Sequence, residues 1–431
     1  ASDEAFARFA GKTWNGNWWE MGGGGTVWDA IVYDPEFDQL LIGVGNGSPW
    51  NHRARSAGKG DNLFLSSILA LDPDTGKYKW HYQVNPGETW DFTATQQITL
   101  ADLTIDGKVR KVAMQAPKNG FFYVIDRVTG KFISGKNYGP VNWATGLDPV
   151  TGRPIENPDA RVDKTGKPFV SVPGAGGAHS WHPMAYDPRQ NLVYIPAQIA
   201  GFPYIPEANW QAAKVGFNNG MNFSAAAMPA DKAVREGAKA GTLGALVAWD
   251  PATQTERWRV NYPGPSNGGL LATAGDLLFQ GTAGGAFNAY NSHDGQKLWS
   301  FDAQTGVIAA PVTFTVKGQQ YVAVMAGWGG IWPMATGALA WKSGPVRNIS
   351  RLLVFKIGGK AQLPAKPDPS FGPLDPPPMT ASKDVVAKGS YTFGRYCGVC
   401  HGDGAIGGGN APARRHVGAQ CHLALDGRTG G

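Results

Sequence analysis

One motif recurs along this chain and restricts what it can fold into. Ala70-Leu71-Asp72-Pro73-Asp74-Thr75-Gly76-Lys77-Tyr78-Lys79-Trp80 returns as Val124-Ile125-Asp126-Arg127-Val128-Thr129-Gly130-Lys131. It returns again as Ala248-Trp249-Asp250-Pro251-Ala252 ending on Trp258, and as Ala289-Tyr290-Asn291 with Asp294-Gly295 ending on Trp299. Each copy reads as an alternating strand, a tight Asp-Gly type hairpin turn and a further strand, which opens on Trp in the copies that carry one. Simpler strand pairs surround them, from Ala30 to Val44 and from Met184 to Ile195. A strand–turn–strand unit cannot bury a face alone, and stacking such units around an axis is the solution a β-propeller uses. A generic sandwich with hairpins is the rival fold, and Trp at a repeating position favours the propeller. The expected fold class is therefore all-β, with the propeller over residues 1–357.

Composition agrees. The chain of 431 residues carries 60 glycines, 31 prolines and 16 tryptophans, and only 17% of its residues are charged. Gly-rich turns with many aromatics suit short strands rather than helices. The formal charge of +6 is spread along the chain with no basic stripe, which argues against a nucleic-acid partner. No apolar run is long enough for a transmembrane helix, and no signal peptide is visible. Because the first residue is Ala1 rather than Met, the chain is expected to be processed or to lack its beginning. The repeats stop after Leu352 to Ile357. A Pro-rich stretch from Leu363 to Met379 then reads as a semi-rigid linker, placed within 358–382. Ala381 to Tyr391 reads as a short helix capped by Ser382, opening a second, partial domain over 383–431 that is small and α-helical.

The three cysteines, Cys397, Cys400 and Cys421, all fall in that second domain, so no disulfide framework holds the main body. Cys397-Gly398-Val399-Cys400-His401 has the spacing of a c-type haem attachment site, in which two thiols reach the two vinyl groups and the His turns to the iron. A zinc site would need a second pair, for which only Cys421 and His422 are at hand, and a thioredoxin-type pair does not need the His. The motif therefore reads as covalent haem c at Cys397 and Cys400 with His401 on the iron, and Cys421 as a bystander. Covalent haem and an oxidising compartment point to the periplasm.

With these residues in view, the chain resembles a known family. Trp90-Asp91-Phe92-Thr93-Ala94-Thr95-Gln96, Gly43-Val44-Gly45-Asn46-Gly47-Ser48-Pro49-Trp50-Asn51 and Ala116-Pro117-Lys118-Asn119-Gly120-Phe121-Phe122 resemble the type II quinohaemoprotein alcohol dehydrogenases. So do Gly22-Gly23-Gly24-Gly25-Thr26-Val27-Trp28-Asp29 and Gly327-Trp328-Gly329-Gly330. The resemblance runs from Thr13 to about Asn410. It implies an eight-bladed propeller with the quinone PQQ at its axis, only part of the blades being present here, and a C-terminal cytochrome c domain. It implies that Asn46 is a calcium ligand, that Asp91 is both calcium ligand and catalytic base, and that Lys118 is the cation beside the quinone carbonyls. Trp28 resembles the indole floor under the PQQ ring, Thr26 a polar contact, and Trp181 in Gly177-Ala178-His179-Ser180-Trp181-His182-Pro183 a further one. Ser180 stands where the family usually has Asn. Each assignment has a plainer rival: a propeller Trp is most often blade packing, an Asp after Trp caps turns, and a Lys sits at the surface. His179 and His182 read as satisfied structural histidines, while His52, His81 and His293 have no motif around them.

The implied activity is PQQ- and calcium-dependent oxidation of primary alcohols to aldehydes. Asp91 acts as general base, calcium as Lewis acid, and Lys118 adds positive charge where negative charge develops. Electrons pass from PQQ to haem c and on to a periplasmic acceptor such as a cytochrome c or a blue-copper protein. Lanthanide-using relatives carry an extra Asp two residues after the base; Thr93 stands there, so calcium is expected. Two other readings remain: a propeller–cytochrome electron carrier or redox-dead scaffold, and a related quinoprotein acting on a polyol, a cyclic alcohol or a polymer. The repeat-free region Gly201 to Gly241 is expected to cap the pocket. The family's N-terminal blades have no counterpart, and neither do the Glu that completes its calcium site, its adjacent-cysteine disulfide and an Arg that contacts PQQ. No Met follows Met379 to ligate the iron, although His416 and His422 are present. The chain alone, with two open sheet edges, is thus expected to show little turnover.

Overall fold

The computed structural model describes residues 4–212, 218–223, 225–226, 231–330, 332, 339, 342, 348–366, 378 and 380–398. Within them lie five antiparallel meander sheets, here numbered I to V in chain order. Sheet I comprises Ile31–Asp34, Gln39–Gly43, Ser67–Leu71 and Tyr78–Gln83. Sheet II comprises Thr99–Ile105, Lys108–Gln115, Phe121–Asp126 and Phe132–Asn137. Sheet III comprises Ala185–Asp187, Leu192–Ile199, Leu243–Asp250 and Thr255–Tyr262. Sheet IV comprises Leu270–Ala272, Leu277–Gly281, Ala286–Asn291 and Lys297–Asp302. Sheet V has three strands, Val312–Val316, Gln319–Ala326 and Arg351–Phe355.

The four copies of the motif are the hairpins that join the third and fourth strands of sheets I to IV. Their turn chemistry is local. Asp72 accepts from the N–H and hydroxyl of Thr75, Asp126 does the same for Thr129, and Asp250 accepts from the N–H of Thr253. Each hairpin carries one register shift, between Ala70 and Leu71, Phe132 and Ser134, Ala248 and Trp249, and Ala289 and Tyr290. A β-bulge of this kind sharpens the twist of the outer strand.

The sheets stack face to face in sequence. Leu41, Ile68, Ala70 and Trp80 of sheet I share a core with Phe121, Tyr123 and Ile125 of sheet II. Phe122 and Val124, the residues between, point the other way into a core with Val193, Ile195 and Val247 of sheet III. Leu192, Tyr194, Leu246 and Ala248 of sheet III meet Leu278 and Tyr290 of sheet IV. Phe279, Phe287 and Ala289 of sheet IV meet Val322, Val324 and Leu353 of sheet V. The alternation expected for the motif's first strand is therefore corrected. The third strands are buried at nearly every position, because a sheet covers each face.

The tryptophans of the motif wedge between neighbours. Trp80 lies against the turn of sheet II at Gly130, and Trp258 lies against the turn of sheet IV at Gly295. A face is also open at each end of the stack. Ile31 and Tyr33 of sheet I are 61% and 53% exposed, and Val312, Phe314, Met325, Leu352 and Val354 of sheet V are exposed as well.

Beyond the sheets, Ser382 caps a helix as expected, accepting from the Val385 N–H. That helix, Lys383–Tyr396, runs past Tyr391 and sets Cys397 at its C-cap. Among the described residues no helix is long and apolar enough to cross a membrane.

Candidate active site

In a four-stranded meander the start of the first strand, the end of the second, the start of the third and the end of the fourth share one end of the sheet. Thr26 and Trp28 precede the first strand of sheet I, and Asn46 follows its second. Asp91 lies between the fourth strand of sheet I and the first of sheet II, and Lys118 follows the second strand of sheet II. Ser180 and Trp181 precede the first strand of sheet III, and Trp328 follows the second of sheet V. The fold thus collects every described candidate of the propeller at one end, opposite the Asp-turn hairpins.

Hydrogen bonds tie these segments together. Gly45 donates to Thr26 O (3.0 Å), Gly25 to Asn46 O (2.9 Å) and Ala94 to Val44 O (3.1 Å). Gly23–Gly24 pairs with Gly47–Ser48 as a two-residue ladder. Trp28 is 43% exposed, so its ring is not packed in a core between sheets. Trp181 is half-buried and stacks on His182 at 4.1 Å and 23°. Thr26 is exposed and Ser180 half-buried. His179 is satisfied as expected, bridging Ala116 O (2.6 Å) and His182 O (2.7 Å) through its two ring nitrogens, whereas His182 Nε2 is buried without a hydrogen-bond partner among the described residues.

Asp91 and Lys118 form the charged centre. The Lys118 ammonium donates to Asp91 Oδ2 (2.8 Å) and to Asp91 O (3.0 Å), with the side chains 10% and 18% exposed. Burial raises the Asp91 carboxyl above its ordinary value, and the Lys118 charge and hydrogen bond pull it back. Asp91 sits at φ +63°, which turns its backbone sharply. The Asn46 amide nitrogen donates to Gly47 O (3.0 Å). Asn46 Oδ1 and Asp91 Oδ1 have no hydrogen-bond partner among the described residues. Two uncommitted hard oxygens beside a cation-compensated carboxylate suit calcium. Among the described residues no cluster of three or more His, Cys, Asp or Glu side chains assembles, so these two supply only part of a calcium shell. Thr93 is turned away into a buried cluster with Thr95 and Gln96.

Several buried groups behind the site carry no signature in the sequence. Glu88 is fully buried; its carboxylate accepts from Trp90 N (2.5 Å), Phe92 N (2.9 Å) and Gly47 N (3.2 Å). Burial pushes its carboxyl up to about 7, with Arg55 opposing and Asp91 adding to the rise. Buried Arg55 donates to Pro49 O (2.5 Å), Trp50 O (3.1 Å) and Glu88 O (2.5 Å). Arg161 lies over the Trp90 ring at 4.6 Å and donates to the Pro86 and Gly87 carbonyls. Tyr204 donates to Trp90 O (2.6 Å).

The described parts of the Gly201 to Gly241 region pack on the segment that follows Asn46: Phe202, Tyr204 and Phe223 surround Trp50, and Asn51 N donates to Asn219 O (3.1 Å). A cavity of about 340 Å³ lined by His52, Asp61, Arg153, Glu156, Arg161 and Lys164 contains none of the candidate residues. Cys397 is a free, partly buried thiol, whereas Cys400, His401, His416, Cys421 and His422 lie outside the described residues.

Comparison with known proteins agrees with this geometry. A family described as glucose/ethanol/alcohol dehydrogenase, beta-propeller domain (PQQ) matches residues 5–145 and 239–322, a little over half of the chain. The chain is 52% identical over 411 residues to quinohemoprotein alcohol dehydrogenase ADH IIB of Pseudomonas putida, covering 95% of this chain and 58% of the relative. It is 50% identical over 426 residues to the dehydrogenase subunit of an alcohol dehydrogenase (quinone) of Komagataeibacter europaeus, covering 98% and 58%. Among solved structures, quinohemoprotein alcohol dehydrogenase ADHIIG of Pseudomonas putida superposes with a TM-score of 0.87 at 44% identity, covering 93% of this chain and 59% of that one. A europium-containing methanol dehydrogenase superposes with a TM-score of 0.65 at 32% identity, covering 78% and 56%. The chain spans less than three-fifths of the length of these relatives.

Proposed function

From a chain that belongs to the PQQ-dependent glucose/ethanol/alcohol dehydrogenase propeller family, we propose an enzyme that oxidises primary alcohols to aldehydes with PQQ, calcium and haem c. The observation that carries this reading is the Asp91–Lys118 pair, held at 2.8 Å at the end of the sheets where the other candidates converge. Lys118 holds Asp91 Oδ2, which leaves Asp91 Oδ1 to take the hydroxyl proton of the alcohol. The same ammonium opposes the rise that burial imposes on this carboxyl and so favours its ionised form, the form a general base needs. Asn46 Oδ1 and the Asp91 carboxylate are the oxygens that would hold calcium. Trp28 offers an indole face for a flat aromatic cofactor, with Thr26, Ser180 and Trp181 beside it. When bound, PQQ supplies a quinone that accepts a hydride, calcium supplies a Lewis acid, and haem c carries the electrons away singly. The haem would be tethered at Cys397 and Cys400 with His401 on the iron. A periplasmic location and a cytochrome c or blue-copper acceptor complete the reading.

The test is Asp91→Asn in the full-length protein supplied with PQQ and calcium. Ethanol-dependent dye reduction should fall at least about 100-fold, the lower range for removing a general base, while PQQ is still bound. Near-normal oxidation by that variant would remove Asp91 as the base.

A further inference from the structure

Glu88 spends its carboxylate on backbone rather than on any side chain. Oε1 accepts from Trp90 N at 2.5 Å and Phe92 N at 2.9 Å, the two amides that flank Asp91. Oε2 accepts from Gly47 N at 3.2 Å, the amide next to Asn46. The turn at Asp91, with φ +63°, gathers the flanking N–H groups around one oxygen, as anion-binding backbone concavities do. Arg55 ties the same two segments from the other side, through Pro49 O and Glu88 O, each at 2.5 Å. Glu88 is fully buried and both of its oxygens accept from backbone N–H groups.

We propose that Glu88 is a positioning residue: its carboxylate bridges the Asn46–Gly47 segment and the Trp90–Phe92 turn, and so fixes the spacing of the two calcium donors, Asn46 and Asp91. The proposal rests on the reading of Asn46 and Asp91 given above. A carboxylate is required because all three partners are N–H donors. In Glu88→Gln the remaining carbonyl oxygen serves Trp90 and Phe92, but an NH2 group faces the Gly47 N–H, so only the link to the Asn46 segment is lost. Glu88→Asp keeps the charge and loses one methylene of reach, so it cannot span both segments. Groups that orient metal ligands typically carry a factor of about 10–100 in metal affinity.

The experiment is a calorimetric calcium titration of the full-length protein, freed of metal and saturated with PQQ, for wild type, Glu88→Gln and Glu88→Asp. Thermal unfolding of the metal-free proteins checks the fold of each, and if one variant is unfolded the other decides. The expected result is folded variants that both bind calcium at least tenfold more weakly than wild type. Variants within threefold of wild type would overturn the brace. So would a Glu88→Asp variant that binds like wild type beside a weak Glu88→Gln, since Glu88 would then act by charge and not by spacing. A wild-type protein that takes up no calcium would instead overturn the site reading on which the brace depends.

Discussion

Gly177→Ala should strike the seat of Lys118. A Cβ added there would stand 2.5 Å from Lys118 Cγ, 2.6 Å from its Cβ and 2.7 Å from its Cα, and the backbone is left-handed with φ +78°. The close atoms include the Lys118 backbone, so rotating the side chain away gives no relief. Two costs add. Holding an L-residue in the left-handed region takes about 1–2 kcal/mol, and forcing atoms into a packed site about 1–3 kcal/mol. Gly166→Ala separates them. Gly166 is also left-handed, with φ +68°, but nothing lies within 4 Å of its added Cβ. Urea unfolding of both variants should therefore show Gly177→Ala less stable than Gly166→Ala by about 1–3 kcal/mol, the steric part alone. Displacing Lys118 also loosens its 2.8 Å bond to Asp91, so alcohol oxidation should fall in Gly177→Ala and hold in Gly166→Ala. Equal unfolding midpoints for the two variants would refute the close packing of Gly177 on Lys118.

Trp80→Ala should cost about 3–5 kcal/mol, because Trp80 is 6% exposed between sheets I and II and bonds Gln39 Oε1 at 3.2 Å. Trp299→Ala, at a position 40% exposed, should cost clearly less in the same urea assay; equal losses would count against the wedge role. Burial, aided by His179, drops the His182 imidazole from 6.5 to about 3. The stability carried by the neutral ring is complete above pH 6.5 and is lost as pH falls toward 3, because the unfolded chain then holds the extra proton. His182→Asn should flatten that loss by up to about 1.4 kcal/mol per pH unit, and a thermal-unfolding slope between pH 6.5 and 4 equal to wild type would argue otherwise. Protein made with c-type haem maturation should keep its haem on a denaturing gel, while Cys397→Ala with Cys400→Ala should release it.

The propeller was legible because its repeating turns are written in side chains that bond their own backbone. Asp72 with Thr75, and Asp126 with Thr129, announce a turn wherever they stand. Asp148-Pro149-Val150-Thr151-Gly152 follows the same rule, with Asp148 accepting from the Thr151 N–H and hydroxyl. It went unread as a copy because it joins a separate two-stranded pair, Ala144–Leu147 with Pro154–Glu156, outside the five sheets. Alternation failed for the opposite reason. Periodicity reports a sheet with one wet face, whereas Phe121 to Ile125 send every other side chain into a different core.

The site divides along the same line. Asp91, Lys118 and Asn46 were readable because their motifs are local. Glu88, Arg55, Arg161 and Tyr204 were not, because each reaches a backbone atom of a segment distant in the chain, at Gly47, Glu88, Pro86–Gly87 and Trp90 in turn, and a backbone atom has no signature in a sequence. The fold explains why such groups gather at one end. The connections between third and fourth strands are short turns that bond themselves and fix register. Those between second and third strands run from the few residues between Gly281 and Ala286 to the long excursion between Ile199 and Leu243. Segments of such varied length cannot satisfy their own polar groups, so they must satisfy one another. A buried carboxylate that takes three amides, and a guanidinium that takes three carbonyls, are the means. The rigidity a base and a cation site require thus comes from the same bonds that allow irregular chain to be buried at all.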